Sequence, residues 1–337
     1  MESLKPVDIM LSMRALRFHE TGDPLSALRL DEVPLPDAGP GEVRLRMLAR
    51  PINPSDLLQV QGVYGRKPPL PATAGLEGLG VVEALGEGVT GWRMGQRVVP
   101  IGAQGTWAEM VITPATNLIP IPDELADDQA CQAVVNPLTA WLMADQLKLG
   151  EGQWLVQSAA ASAVGKCLIQ LAKARGFKVL CLVRRPDAVA DLLAQGAHAA
   201  LCTSDPDWLK QAEALLPKGM ADAAVDAVGG VLGGDMVKLL RPGGTMLVYG
   251  ALSMEPLQIP GGQLIFRTAT VSGFWLTDWK KRATQDEREA AMAALLAAMA
   301  SGQIQVPVEA SYPLDQWEEA VAHAQRSGRD GKILLKG

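Results

Sequence analysis

The sequence predicts a two-domain α/β protein in which an irregular β-barrel accompanies a doubly wound parallel sheet. Three observations carry this expectation. A chain of 337 residues is longer than one hydrophobic core usually supports. From Met13 to about Pro120 it reads as short β-rich segments interrupted by Gly and Pro. Beyond Asp123, strand-like runs alternate with helical stretches, which is the texture of βαβ units.

The barrel-like part contains the runs Val43-Arg44-Leu45-Arg46-Met47-Leu48, Gly80-Val81-Val82-Glu83-Ala84-Leu85 and Trp107-Ala108-Glu109-Met110-Val111. In the second part, strands are expected at 153–158, 178–183, 198–202, 222–227, 243–250 and 269–273, with helices at 162–176, 186–195, 206–216 and 230–240. Six such strands fit two mononucleotide-binding halves, so a Rossmann domain is the natural assignment. The stretches from Gln285 to Ser301 and from Trp317 to Gln325 have helical composition, and Lys332-Ile333-Leu334-Leu335 is expected to close the chain as a strand. No repeat or low-complexity linker separates the parts, so the domains are expected to meet across a cleft.

Composition excludes several classes of function. Hydrophobic residues make up 48% and charged residues 20%, the balance of a packed globular protein. Lys+Arg 31 against Asp+Glu 37 gives 31 − 37 = −6, with no block of five like charges, so a nucleic-acid partner is not expected. Cys131, Cys167, Cys181 and Cys202 form no C-x-x-C pair and read as small buried hydrophobes in a reducing compartment. No apolar run reaches ~18 residues, and MESLKPVDIMLS lacks the pattern of a secretion signal. A cytoplasmic location without membrane partners follows as the expectation, with residues 1–12 as an extension the fold does not need.

Trp154-Leu155-Val156-Gln157 followed by Ser158-Ala159-Ala160-Ala161-Ser162-Ala163-Val164-Gly165 is an apolar strand, a run of small residues, and the start of a helix. Small residues let the backbone approach a pyrophosphate, and a helix N-terminus offers free N–H groups to hold it. Only the last glycine of the G-x-G-x-x-G pattern is kept. At 184 − 165 = 19 residues further on, where a carboxylate would accept from a ribose 2′-hydroxyl, stand Arg184 and Arg185. Guanidinium groups grip a 2′-phosphate bidentately, so the cofactor expected is NADPH.

Taken in order, Asn53-Pro54-Ser55-Asp56, Gly75-Leu76-Glu77-Gly78-Leu79-Gly80, Gly86-Glu87-Gly88-Val89, Gly95-Gln96-Arg97-Val98, Pro137-Leu138-Thr139-Ala140 and Gly331-Lys332-Ile333-Leu334-Leu335 resemble the medium-chain dehydrogenase/reductase superfamily from Met13 to Gly337. The resemblance implies a discontinuous GroES-like domain over 1–122 and 274–337 and a Rossmann domain over 123–273, with a homodimer joined through the cofactor domains. Zinc alcohol dehydrogenases of the superfamily carry a His where this chain has Leu76 and a Cys near Asn53. His19, His198 and His323 have no second ligand at metal spacing, so no metal is expected.

Gln61-Gly62-Val63-Tyr64, the loop from Gln157 to Gly165, Val183-Arg184-Arg185-Pro186 and Gly273-Phe274-Trp275-Leu276-Thr277-Asp278-Trp279-Lys280 are similar to the 2-enoyl thioester reductases of the zinc-free branch, and less so to its quinone oxidoreductases. This implies hydride transfer to the C2–C3 double bond of an enoyl thioester on CoA or an acyl carrier protein, with a quinone or enal as the alternative acceptor. Tyr64, Asn53 and Trp275 are the implied catalytic residues. Asn53, Thr139, Ser158, Ala161, Ser162, Ala163, Val164, Gly165, Arg184, Arg185, Tyr249, Phe274, Trp275 and Lys332 are the implied cofactor contacts. Helix capping alone also accounts for Asn53 and Asp56, and ordinary core packing for Phe274, Trp275 and Trp279. Lys280-Lys281-Arg282 beside them could attract the phosphates of coenzyme A or an acyl carrier, and a solvated cationic face accounts for them as well.

Overall fold

The computed structural model describes residues 11–337, so residues 1–10 of the expected extension lie outside the described residues. Ser12 already opens a strand, Ser12–Phe18, paired with Leu28–Pro34. The chain divides into two compact units, residues 1–135 with 307–337 and residues 136–306. The boundaries thus fall at 135/136 and 306/307, where the sequence reading had 122/123 and 273/274.

In the first unit, strand Glu42–Pro51 is the organiser. Its alternation turns Val43, Leu45 and Met47 inward, where they pack with Val82, Val98, Val111 and Leu118. It pairs antiparallel with Leu79–Leu85 on one side and is reached by Met110–Pro114 and by the closing strand Lys332–Lys336. The strand expected over 107–111 begins three residues later, because Trp107 is fully buried in the neighbouring cluster around Leu16, Phe18 and Trp317. Register does the rest of the positioning. Leu334 lies opposite Pro51 in an antiparallel pair, so each step back along the closing strand is a step forward along the other, and Lys332 arrives opposite Asn53.

The second unit is a six-stranded sheet in the order Ala199–Cys202, Lys178–Val183, Trp154–Gln157, Ala221–Asp226, Leu240–Val248, Thr270–Gly273, with every pair parallel. This is the doubly wound order, with the reversal beside Trp154–Gln157. Both the expected strands and the four helices between them are present, as Ala163–Arg175, Asp187–Ala194, Trp208–Leu215 and Gly230–Lys238. Val156, Leu180 and Leu182 form the core with Trp208, Ala212, Met236 and Val237. Helix Asn136–Leu147 packs on Ala163–Arg175 and is itself covered by Gln285–Ala300. Gly261–Arg267 and Leu276–Arg282 are helices that no sequence period announces, since each is seven residues long.

Candidate functional site

Ligands of doubly wound sheets bind at the carboxyl ends of the strands, next to the point where strand order reverses. Four of the six strands end on a residue group that the sequence singled out. Trp154–Gln157 leads into the Ser158–Gly165 loop, Lys178–Val183 into Arg184 and Arg185, Leu240–Val248 into Tyr249, and Thr270–Gly273 into Phe274 and Trp275.

The loop is shaped for close approach. Ala159 has φ of 48°, a left-handed turn without glycine. Gly165 has no such torsion but no room either, since a Cβ there would stand 2.3 Å from the Ala160 carbonyl oxygen. Ser162 caps helix Ala163–Arg175, accepting at Oγ from the Gly165 N–H at 3.2 Å. Among the described residues, the N–H groups of Ala163 and Val164 have no protein acceptor, as the first turn of a helix dictates. The loop therefore presents donors and the positive end of a 13-residue helix.

Ser158, one of the implied cofactor contacts, has its side chain engaged inside the fold. It is fully buried, and its hydroxyl donates to Asp226 Oδ1 at 2.5 Å while accepting from the Ala227 N–H at 2.9 Å. Asp226 also accepts from the N–H groups of Val228 and Gly229, both at 2.9 Å. The serine thus ties the ends of two adjacent strands.

Arg184 is exposed, and no ion pair to it is found among the described residues; its carbonyl is held by the Ser204 hydroxyl at 2.8 Å. Arg185 shares one nitrogen with Asp187 at 3.2 Å, a solvent-facing pair that a doubly charged phosphate would outcompete. Tyr249 is half-buried with its hydroxyl towards Ser162, and burial raises its pKa above that of a free phenol. Thr139 is buried in the first turn of helix Asn136–Leu147. Trp275 is 39% exposed just before helix Leu276–Arg282, with the Lys281 ammonium 5.9 Å above its ring.

In the first unit the structure brings Asn53 and Lys332 into direct contact, with the Lys332 Nζ donating to Asn53 Oδ1. It adds a residue the sequence reading did not place in a site. Glu77, fully buried, accepts at Oε1 from Asn53 Nδ2 at 2.7 Å and at Oε2 from the N–H groups of Val134 and Val135 at 3.0 and 2.8 Å. Its signal was a charged residue inside the glycine-rich run 75–80, where a surface role would need no such neighbours. Burial pushes the Glu77 carboxyl upward, while the Asn53 amide, the Lys332 ammonium and the Val135 N–H pull it back towards the carboxylate. Asp56 receives the Asn53 main-chain N–H at 2.7 Å and is pushed up to about 7 by burial. Tyr64 follows the helix Pro54–Val60 that Asn53 caps, and its N–H bonds the Leu58 carbonyl at 3.1 Å. Gly62 makes that return possible: its φ is 76°, and a Cβ would meet Thr21 at 2.9 Å.

Among the described residues, no group of three or more His, Cys, Asp or Glu side chains is arranged to hold a metal, and no helix is long and apolar enough to cross a membrane.

Residues 39–123 match the profile of the alcohol dehydrogenase GroES-like domain, and residues 163–298 that of zinc-binding dehydrogenases. The second name describes a family and not a ligand set, because His198 is the single histidine within that range. The chain is 34% identical to the mitochondrial enoyl-[acyl-carrier-protein] reductase of Xenopus tropicalis, covering 96% of this chain and 95% of that protein. The human protein of the same name is 32% identical, covering 96% and 88%. Among solved structures, a chain from Bacillus thuringiensis assigned as an NADPH:quinone reductase superposes with a TM-score of 0.92 at 32% identity, covering 97% and 99%. The Candida tropicalis 2-enoyl thioester reductase Etr1p/Etr2p heterodimer does so with 0.86 at 27%, covering 97% and 100%. The same values hold for an Etr1p complex with NADP and crotonyl-CoA. The cytoplasmic expectation is overturned here, since these curated relatives are mitochondrial proteins.

Proposed function

The chain belongs to the zinc-free branch of the medium-chain dehydrogenase/reductase superfamily, and from that premise we propose that it reduces the C2–C3 double bond of 2-enoyl thioesters with NADPH. The observation that carries the thioester is the end-to-end likeness to enoyl-[acyl-carrier-protein] reductases, which spans both compact units.

The residues present fit NADPH. The small-residue loop with its two N–H donors suits a pyrophosphate, and Arg184 with Arg185 suits a 2′-phosphate. Asn53 and Lys332 supply polar contacts to the nicotinamide half, and Thr139, Tyr249, Phe274 and Trp275 complete the contact set. When bound, NADPH would supply the hydride for Cβ of the acceptor, and a proton drawn from solvent would complete the reduction at Cα. The chain's own part is to manage the charge that then develops on the thioester oxygen. Leu76 offers no metal ligand, so the task falls to a hydrogen-bond donor, and the hydroxyl of Tyr64, two residues after the Gly62 turn, is the donor we assign to it. A hydroxyl donor serves because it donates to an oxyanion more strongly than to the ground-state carbonyl. Such a reaction belongs to fatty acid metabolism.

A quinone is the second reading, favoured by the likeness to the Bacillus thuringiensis chain. The deciding experiment follows NADPH oxidation with crotonyl-CoA, a longer enoyl-CoA, an enal and a 1,4-quinone. Turnover with the thioesters is expected; ready reduction of quinone with the enoyl-CoA substrates untouched would overturn the thioester reading.

The protein is further proposed to be a homodimer joined through its second unit. Strand Thr270–Gly273 ends the sheet and is paired on one side only, and the adjacent helix leaves Ile265 and Phe266 68% and 86% exposed.

A further inference from the structure

Asn53 and Lys332 are read above as contacts to the cofactor, yet neither fixes its own orientation. A carboxamide presents an oxygen and an NH2 group of nearly equal size, and which way it faces is decided by its neighbours. Here both neighbours vote the same way. Three donors, Asn53 Nδ2 at 2.7 Å and the N–H groups of Val134 and Val135, converge on the two Glu77 oxygens, so the carboxylate is the form that fits and Oε1 accepts; the Lys332 ammonium donates only and takes Asn53 Oδ1. A flipped amide would set oxygen against carboxylate and NH2 against ammonium at once. Glu77 has no freedom to follow such a flip, because its second oxygen holds the consecutive N–H groups of Val134 and Val135, where the chain leaves the first compact unit for the second. Its carbonyl is fixed as well, accepting from the Thr106 hydroxyl at 2.7 Å.

We propose that Glu77 is the positioning residue of this site: its carboxylate sets the Asn53 carboxamide and, through it, the Lys332 ammonium, so that both face NADPH in one defined geometry. The inference rests on the reading of Asn53 and Lys332 as cofactor contacts. It separates two duties of one carboxylate, since Oε1 serves the site and Oε2 serves the main chain. In Glu77→Gln the new NH2 group must face either Asn53 Nδ2 or the two main-chain N–H groups, and a donor meets a donor in both cases. Satisfying the main chain turns the Gln NH2 towards Asn53, which then flips and presents its own NH2 to Lys332.

The test is a double-mutant cycle in NADPH affinity, read by fluorescence titration on the full-length protein so that no acceptor is needed. Glu77→Gln and Asn53→Ala are each expected to weaken NADPH binding at least tenfold, and the double variant no more than Asn53→Ala alone. The duty of Oε2 does not pass through Asn53, so a merely structural Glu77 would give losses that multiply, which overturns the proposal. Unchanged affinity in Glu77→Gln overturns it too. Unchanged affinity in Asn53→Ala removes the cofactor reading of Asn53 on which it stands, whereas a wrong thioester assignment shows only in the acceptor panel and leaves this cycle readable. Should Glu77→Gln not fold, Glu77→Asp keeps the charge and shortens the reach to Asn53. It is expected to show the same tenfold loss, and wild-type affinity there would count against the proposal.

Discussion

Tyr64→Phe removes one hydroxyl and no packing volume, so it isolates the donor from the turn that carries it. Turnover is expected to fall at least tenfold, about 1.4 kcal/mol in the barrier, with NADPH affinity unchanged. Steady-state kinetics beside a binding titration checks both, and unaltered turnover would remove Tyr64 from the mechanism. Arg184 and Arg185 invite the complementary experiment. Replacing both with Ala should weaken NADPH binding far more than NADH binding, because the lost partner is the 2′-phosphate alone. Equal losses would discard the phosphate reading. Asp56 makes a prediction of opposite sign to the usual acid-labile carboxylate. Burial lifts it from 3.8 to about 7, so between those values the unfolded chain has released a proton that the folded one keeps. Its contribution to stability is full below pH 4 and is lost as pH rises through about 7. In urea unfolding, wild-type protein should therefore lose stability relative to Asp56→Asn between pH 5 and roughly 7.5. Parallel profiles for the two proteins would show that Asp56 is ionised in the fold throughout that range.

At the scale of elements, the phosphate loop shows how a fold keeps a motif's geometry after losing most of its glycines. Gly165 is held by sterics, since a Cβ would overlap the Ala160 backbone. Gly165→Ala should shift the loop and lower both melting temperature and NADPH affinity, measurable by thermal denaturation with and without cofactor. Ala159 pays the conformational cost that a glycine would avoid, so Ala159→Gly is expected to hold or raise stability by about 1 kcal/mol. A clear loss of stability in that variant would mean the left-handed turn is not strained. These elements were legible in the sequence because alternation of strand and helix is a local signal, written into runs such as Trp154–Gln157 and the Gly176 that ends the following helix. What was not legible depended on distant register. Asn53 and Lys332 are 279 residues apart, and only the pairing of Leu334 with Pro51 shows that they meet. Glu77 is hidden in the sequence for the same reason, its partners lying 24, 57 and 58 residues away. Ser158 looked like a phosphate contact by position, but its commitment to Asp226 across the sheet is a tertiary fact.

At the scale of the whole molecule, the compact units carry separable parts of the chemistry: residues 136–306 hold the loop and the paired arginines, and residues 1–135 with 307–337 hold Asn53, Glu77, Lys332 and Tyr64. The second unit also carries surface that a lone chain has no use for. An edge strand exposes a row of unpaired main-chain groups, and proteins usually blunt such edges with charge or cover them. Thr270-Val271-Ser272-Gly273 carries no charge, and beside it Phe266 stands 86% exposed. Pairing of this edge with its equivalent in a second copy, about a twofold axis, would satisfy the main chain and bury both copies of Phe266 and Ile265 together. Sedimentation of the wild-type protein at tens of micromolar should therefore give twice the chain mass, and Phe266→Asp should give the chain mass. The variant places two like charges in a buried contact but lies outside the candidate cofactor residues, so it should still bind NADPH. A wild-type protein that sediments as a single chain would refute the dimer, and a Phe266→Asp variant that stays dimeric would move the interface away from this edge.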